Sequence, residues 1–278
     1  MKNEVQTIIG KSLESKTLTD SIDGNHLTII KQIGQGQFGS IYEARGVKFA
    51  EALVIKVSED ENTLKNEIKS LLRINKNKYF ISKDEKFIPK VYSYGSFFHR
   101  KSELESPKLD KELFYYVMPK YGTKDMDQYA EKMSFKFTDS EILGFAVKIL
   151  ESLKMVHKAG YVYNDLKLDN IVVDIKKRGQ SLDHAKIHLV DFGFASKYYT
   201  SVQTPEGIKH AHVPQLDLDQ FSGNMINASI DKLNFLQSGR KDDLIALCYV
   251  LCYLFNKGSL PYVTDKNMET NYKKYNET

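Results

Sequence analysis

Residues 160–170 read Gly-Tyr-Val-Tyr-Asn-Asp-Leu-Lys-Leu-Asp-Asn, and Asp191-Phe192-Gly193 begins twenty-one residues after Asn170. This stretch decides the fold. Lys167 follows Asp165 by two positions and Asn170 follows it by five. A second carboxylate, Asp191, comes directly after Ile187 to Val190, an apolar run of strand composition, so it belongs to a turn at a strand end. An Asp-Phe-Gly triplet alone is common by chance. Behind NDLKLDN, in this order and at this distance, it is not. Phosphoryl transfer uses such groups: one carboxylate orients an attacking hydroxyl, and a second, with an amide oxygen, holds Mg²⁺ against phosphates.

Upstream, Ile33-Gly34-Gln35-Gly36-Gln37-Phe38-Gly39-Ser40-Ile41-Tyr42 spaces its glycines as G-x-G-x-x-G, with Ile41 two places after the last. Glycines let backbone amides close over phosphates with no Cβ in the way, although any glycine-rich hairpin has the same composition. Leu53-Val54-Ile55-Lys56-Val57 follows at strand spacing, with one lysine in an apolar run. Lys56 reads either as an edge-strand lysine that snorkels to water or as a grip on the α- and β-phosphates. Glu67 borders the inward stripe Ile68, Leu71 and Leu72 of a helix expected over 61–75. It is either a solvated helix carboxylate or the partner of Lys56. The order of lysine, glutamate and then NDLKLDN favours the pair.

The chain has 278 residues, is 41% hydrophobic and carries a formal net charge of +4. Such a length holds one large core or two lobes. So small a charge does not indicate nucleic acid. No apolar run approaches the ~20 residues of a membrane span. The start MKNEVQTIIG lacks the apolar stretch of a signal peptide, and Lys2 stands where myristoylation needs glycine. Cys248 and Cys252, four apart in LIALCYVLCYLF, are expected as reduced core residues on one helix face, which points to the cytosol or nucleus.

Residues 1–26 read as a loose polar extension with at most one short element. Strands are expected near 27–33, 40–45, 51–57, 91–95 and 113–118, with a charged loop from His99 to Lys111 between the last two. Pro119-Lys120-Tyr121-Gly122 marks a boundary between lobes. Thr138-Asp139-Ser140-Glu141 has the form of a capping box. The helix it opens turns Ile142, Phe145, Ala146, Ile149, Leu150, Leu153 and Val156 to one side and stops near Gly160. Residues 174–186 are expected as a charged hairpin loop, and 241–255 as a helix buried nearly all round.

Taken together these motifs resemble the protein kinase superfamily, and within it the casein kinase 1 family with its vaccinia-related relatives. The last third carries the finer resemblance. No Ala-Pro-Glu closes the segment after Asp191. The chain instead reads His212-Val213-Pro214 and then FSGNMINASID over 221–231, similar to the family's HIP and TGTARYASIN. Ser238-Gly239-Arg240-Lys241-Asp242-Asp243-Leu244 resembles SRRDDLESLGY, and Asn256 to Tyr262, NKGSLPY, resembles NRGSLPW.

The resemblance implies an α+β, bilobal protein-kinase fold: a β-rich N-lobe over 27–118, a helical C-lobe over 119–262 and a polar tail over 263–278. It implies ATP and Mg²⁺ in the cleft between lobes and transfer to serine or threonine of protein substrates. Position by position, Asp165 is the catalytic base and Lys167 its neighbour on the γ-phosphate. Asn170 and Asp191 are metal ligands, and Lys56 with Glu67 forms the phosphate-side ion pair. Ile33, Gly34, Gly36, Gly39 and Ile41 cover the nucleotide. Met118 precedes the hinge, Lys120 and Tyr121 offer backbone groups to adenine, and Asp127 faces the ribose. Asp243 anchors the loop backbone from the second large helix, or is an N-terminal helix carboxylate favoured by the dipole.

Three departures alter what carries over. Tyr163-Asn164 stands where the kinase pattern has His-Arg, and that arginine usually pairs with a phosphate on the activation loop. Activation by loop phosphorylation is therefore not expected. Asp217 and Asp219 lie where the family has basic residues, and Ile226 replaces an arginine, so the family's preference for acidic substrates is not transferred. The chain ends sixteen residues after Tyr262, where kinases continue through further helices. The C-lobe is therefore expected to be shortened, and to associate with itself or with a covering partner. The competing class is a pseudokinase or scaffold that binds nucleotide or a partner without transfer.

Overall fold

Alternating apolar residues in the first third build a sheet with one side committed to a core. The computed structural model describes residues 13, 17–19, 26–36, 38–76, 87–99, 111–175, 181–214 and 216–263. The chain divides into two compact units, Met1–Asn75 with Pro89–Lys120, and Lys76–Ile88 with Tyr121–Thr278.

The first unit is an antiparallel sheet of β1 (Thr17–Thr19), β2 (His26–Gly36), β3 (Gly39–Gly46), β4 (Leu53–Ser58), β5 (Ser93–His99) and β6 (Lys111–Pro119), with helix α1 (Glu61–Asn75). The strand order is β1-β2-β3-β4-β6-β5. Leu27 and Ile29, Tyr42 and Ala44, Leu53, Ile55 and Val57, and Leu113, Tyr115 and Val117 alternate onto one face and pack together. Fully burying each leucine, isoleucine or valine among them is worth roughly 1.5–3 kcal/mol. The other face of β4 and β6 carries Lys56 and Tyr116, which sit opposite each other. Helix α1 lies on this face, with Leu64, Ile68, Leu71 and Ile74 buried at helical spacing.

Among the described residues ahead of β2, one short element is present, as the expectation allowed. Strand β1 pairs with β2, and Leu13 and Leu18 enter the core, because β2 offers an open edge and Leu18 points to its apolar face. The units divide after Lys120, within the stretch Pro119-Lys120-Tyr121-Gly122. The Lys120 N–H donates to the Ala52 carbonyl at 2.9 Å and its ammonium meets Glu43 at 2.8 Å, which holds Pro119 and Lys120 to the first sheet. The expected loop over 99–111 lies mostly outside the described residues.

The second unit contains β7 (Lys124–Asp125), α2 (Met126–Lys132), α3 (Asp139–Lys158), β8 (Tyr161–Val162), β9 (Ile171–Asp174), β10 (Lys186–Leu189), β11 (Ser196–Lys197), β12 (Tyr199–Thr204), β13 (Gly207–His212), α4 (Ile230–Leu233) and α5 (Arg240–Phe255). The capping box at α3 forms: the Glu141 carboxylate accepts from Thr138 N at 2.9 Å, and the Thr138 hydroxyl accepts from Glu141 N at 3.3 Å. Helix α3 is capped at Ala159, and Gly160 follows at φ +91° with a would-be Cβ 1.7 Å from the Tyr199 ring. Any side chain there would be strained by the backbone and would have to displace the Tyr199 ring. Strands β9 and β10 pair as the expected hairpin, and Lys148 of α3 donates to the carbonyls of Asp183 and Ala185 beside it, both at 2.6 Å. Residues 176–180 of that hairpin lie outside the described residues.

The buried faces are narrower than expected. On α3, Leu150 is exposed, as are Leu143 and Val147, while the other stripe residues are buried. On α5, Ala246, Leu247, Val250 and Leu254 face inward, but Leu244, Phe255, Cys248 and Cys252 are exposed. The two cysteines share one helix face, but it is an outer one. An i, i+4 pair has only one face, and Leu247, Val250 and Leu254 take the inner one. Among the described residues no helix is long and apolar enough to cross a membrane.

Candidate active site

Strand β4 turns Lys56 away from the core, and α1 lays Glu67 against it. Their charged atoms are 2.8 Å apart, with side chains 3% and 0% exposed. This excludes the snorkelling lysine and the solvated glutamate. The Tyr116 hydroxyl donates to the second Glu67 oxygen at 3.0 Å. A buried ion pair persists only when its remaining acceptors are satisfied, and Tyr116 supplies that bond. The adjacent β2–β3 hairpin carries Ile33, Gly34, Gly36, Gly39 and Ile41, with Gly34 opposite Ile41 and Gly36 opposite Gly39. Gly39 has φ +143°, and a Cβ there would lie 2.2 Å from the Val57 carbonyl, so glycine is obligatory. At Gly34 a Cβ would meet only ordinary contacts. Met118 on β6 is buried opposite Val54.

In the second unit, Tyr163 to Asn170 form a loop closed by its own side chains. The Asn170 amide nitrogen donates to Asp165 Oδ2 at 2.7 Å and to the Asp165 carbonyl at 3.0 Å. The Lys167 ammonium lies 3.3 Å from the same Oδ2. Asp165 Oδ1 is buried and has no hydrogen-bond partner among the described residues. Burial pushes the Asp165 carboxyl above its usual range, with the charge of Asp191 adding to it, while Lys167 and Asn170 act against the shift. The Asn170 carbonyl accepts from Val190 N at 2.9 Å, which brings the strand end before Asp191 onto the loop. Asp191 has φ +57°, and its Oδ1 accepts from Gly193 N at 3.2 Å. The Tyr163 hydroxyl donates to the Val190 carbonyl, and its ring meets Phe192 edge-on with centroids 5.0 Å apart.

Asp243 settles its two readings. Its Oδ2 accepts from Tyr163 N and faces His157 Nε2, and its Oδ1 accepts from Asn164 N, each at 2.8 Å. It is an anchor for the loop backbone. The N-cap of α5 is Gly239, and Asp242 rather than Asp243 closes its capping box, its Oδ2 accepting from Gly239 N at 2.6 Å. Asn164 stands at φ +71° and donates to the Phe194 carbonyl and the Ser196 hydroxyl, both at 2.9 Å. Two further groups escaped the sequence reading. Asn227 donates to the Leu166 carbonyl at 2.9 Å, and Lys232 to the Asn164 carbonyl at 2.7 Å. Asn227 lies within the 221–231 segment but at no position whose role was read there, and Lys232 lies just outside it. Only the failure of Lys232 to fit the apolar pattern around Ile230 and Leu233 is visible beforehand.

The remaining expected residues fall as follows. Lys120 cannot offer its N–H to adenine, since Ala52 takes it. Tyr121 stacks on His188, ring centroids 4.2 Å apart. Asp127 lies half-buried in the first turn of α2. Burial raises its pKa, and Asp169, Glu131 and Asp125 push the same way. Asp217 and Asp219 are exposed.

The sequence matches the family of the protein kinase domain over residues 27–277. Many solved structures share the fold. One, described as the structure of vaccinia related kinase 3, superposes with a TM-score of 0.70 at 21% identity, covering 100% of this chain and 80% of that one. At that identity the likeness is one of fold. The match along nearly the whole sequence, on a strand-rich first unit and a helical second, gives the assignment: the chain belongs to the protein kinase family.

Proposed function

We propose that the chain transfers the γ-phosphoryl group of ATP, with Mg²⁺, to serine or threonine hydroxyls of proteins, and that it is a kinase of casein kinase 1 type. One observation carries this reading. Asp165 Oδ2 is held by Asn170 and Lys167, while Oδ1 is buried without a partner among the described residues. An orphaned buried acceptor is costly and calls for a reason. Accepting the proton of a substrate hydroxyl is such a reason.

Lys167 would then meet the γ-phosphate, and Lys56, oriented by Glu67, the α- and β-phosphates. Asn170 and Asp191 would hold the metal. Asn170 turns its amide nitrogen to Asp165, which leaves its oxygen as the donor atom a hard cation needs. Mg²⁺ takes few protein ligands and completes its shell with water and phosphate. The cation supplies charge neutralisation at the phosphates. Ile33, Gly34, Gly36, Gly39, Ile41, Met118, Tyr121 and Asp127 are assigned to the nucleotide. The segments 212–214, 221–231 and 238–244 support the casein kinase 1 type.

Radiolabelled ATP with Mg²⁺ and mixed protein substrates tests the proposal. Label is expected on serine or threonine, and millimolar Mg–ATP is expected to raise the melting temperature by mass action. Lys56→Met should weaken that shift. No label and no shift would overturn the reading, whereas a shift without label would favour a pseudokinase.

The acid limb of kcat/KM should lie above the pKa of an ordinary aspartate, because burial raises that of Asp165 and the base acts ionised. Activity is lost as pH falls through that raised value. Lys167→Met removes a charge that lowers it, so the limb should move to higher pH whatever happens to the rate. A limb that stays in place would assign the titration to another group.

Asn164 ties the segment after Asp191 with neutral hydrogen bonds and has no fork for a phosphate. Phosphatase treatment should therefore leave activity within about twofold. A tenfold loss would point to a basic residue such as the exposed Lys197. The exposed carboxylates of Asp217 and Asp219 set a negative local field. Peptide-library selection should show no preference for acidic or phosphorylated residues upstream of the target, and a dominant acidic preference would refute this.

A further inference from the structure

Helix α4 sends one cation beneath the loop that carries Asp165. Lys232 is 7% exposed, and its ammonium donates to the Asn164 carbonyl at 2.7 Å. Its hydrogen-bond partner is a carbonyl, not a carboxylate. Taking an ammonium out of water is costly. Burial lowers the Lys232 pKa, and the charges of Asp243, Asp165 and Asp242 act against that shift. The Phe221 ring adds a face 5.7 Å from the ammonium.

The acceptor is significant. The Asn164 carbonyl belongs to the peptide plane that leads into Asp165, so fixing that oxygen fixes the plane from which Asp165 starts. Asn164 itself sits at φ +71°, a conformation that costs energy for any residue with a side chain. Its N–H is held by Asp243 at 2.8 Å and its carbonyl by Lys232. The surroundings are cut to fit this contact. Gly223, at φ +100°, packs so closely that a Cβ would lie 2.4 Å from the Asn164 carbonyl and 2.8 Å from the Lys232 ammonium. Asn164 brings no charge of its own. The cation beside this loop comes from α4.

We propose that Lys232 is a positioning residue for phosphoryl transfer: by clamping the Asn164 carbonyl it fixes the direction in which Asp165 enters the site. The proposal rests on the reading of Asp165 as the base. Lys232→Met keeps the length and bulk of the side chain and removes the donor. In the full chain, hydrogen–deuterium exchange at the Tyr163 and Asn164 amides should accelerate about tenfold, equivalent to about 1.4 kcal/mol of opening free energy. The kcat should fall tenfold or more, with KM for ATP and the Mg–ATP melting shift within about twofold of wild type. A variant that merely loosened the fold would move all of these together.

Unchanged exchange, or a wild-type kcat despite faster exchange, overturns the proposal. Should the wild type transfer no phosphate, the functional reading fails by itself. Exchange then decides alone whether Lys232 holds the loop. Should Lys232→Met not fold, Lys232→Leu, which is smaller and also lacks a donor, is read by the same measurements against the same limits.

Discussion

Asp165→Asn is expected to reduce the transfer rate at least a hundredfold while leaving the fold and Mg–ATP binding in place. A positioned general base contributes about 10²–10⁴ in rate, and the amide has no lone pair basic enough to take the hydroxyl proton. The substitution retains the oxygen that Asn170 and Lys167 approach. The sign for stability is opposite to that for activity. The folded-state pKa of Asp165 is raised, so its ionised form is penalised by folding, and that penalty is relieved as pH falls through the raised value. A neutral side chain removes it. Asp165→Asn should therefore melt no lower than wild type at neutral pH, and higher if the penalty dominates. Initial rates with radiolabelled ATP, read beside a thermal melt with and without Mg–ATP, check both. A residual rate within tenfold of wild type would remove Asp165 from the role of base.

The parts of this site that were legible in advance share one property: they follow from local spacing. Asp165, Lys167, Asn170 and Asp191 stand at separations that a loop and the next strand fix almost by themselves, and Val190 N on the Asn170 carbonyl is the hydrogen bond that results. The capping box at Thr138 and the stop at Gly160 are equally local. What escaped is set by partners far along the chain. Lys232 looks like a surface lysine until its contact with residue 164 is seen. Asp243, beside the capping Asp242, has no local cue separating a dipole carboxylate from a buried anchor. Tyr116 reads only as a strand aromatic, yet it completes the Lys56–Glu67 pair from another strand. Apolar pattern misled in the other direction: Leu150, Cys248 and Cys252 fit a buried stripe by period but face outward. Composition says that a helix is apolar, not how much of its circumference a neighbour covers.

Asp243→Asn should produce the largest combined loss of stability and activity among variants outside the reacting groups. The carboxylate is 1% exposed and joins three pieces of chain: α5 that bears it, His157 at the end of α3, and the Tyr163–Asn164 backbone. An asparagine has one acceptor oxygen. If that oxygen keeps Tyr163 and His157, its NH₂ is left facing the Asn164 N–H, donor against donor. One buried amide then goes unsatisfied, at roughly 1–3 kcal/mol, and the bonds that remain lose their charge assistance. The sum is about 2–4 kcal/mol, a large part of a typical stability of about 5–15 kcal/mol. Release of Asn164 also frees the peptide leading into Asp165, so kcat should drop tenfold or more. His157→Ala is the control. It removes one of the three bonds and leaves both backbone amides held, so it should cost about 1 kcal/mol and change kcat little. Urea unfolding and initial rates on the two variants separate the cases. Equal losses from both would mean that Asp243 acts by pairing α3 with α5, and that the backbone bonds to Tyr163 and Asn164 are incidental.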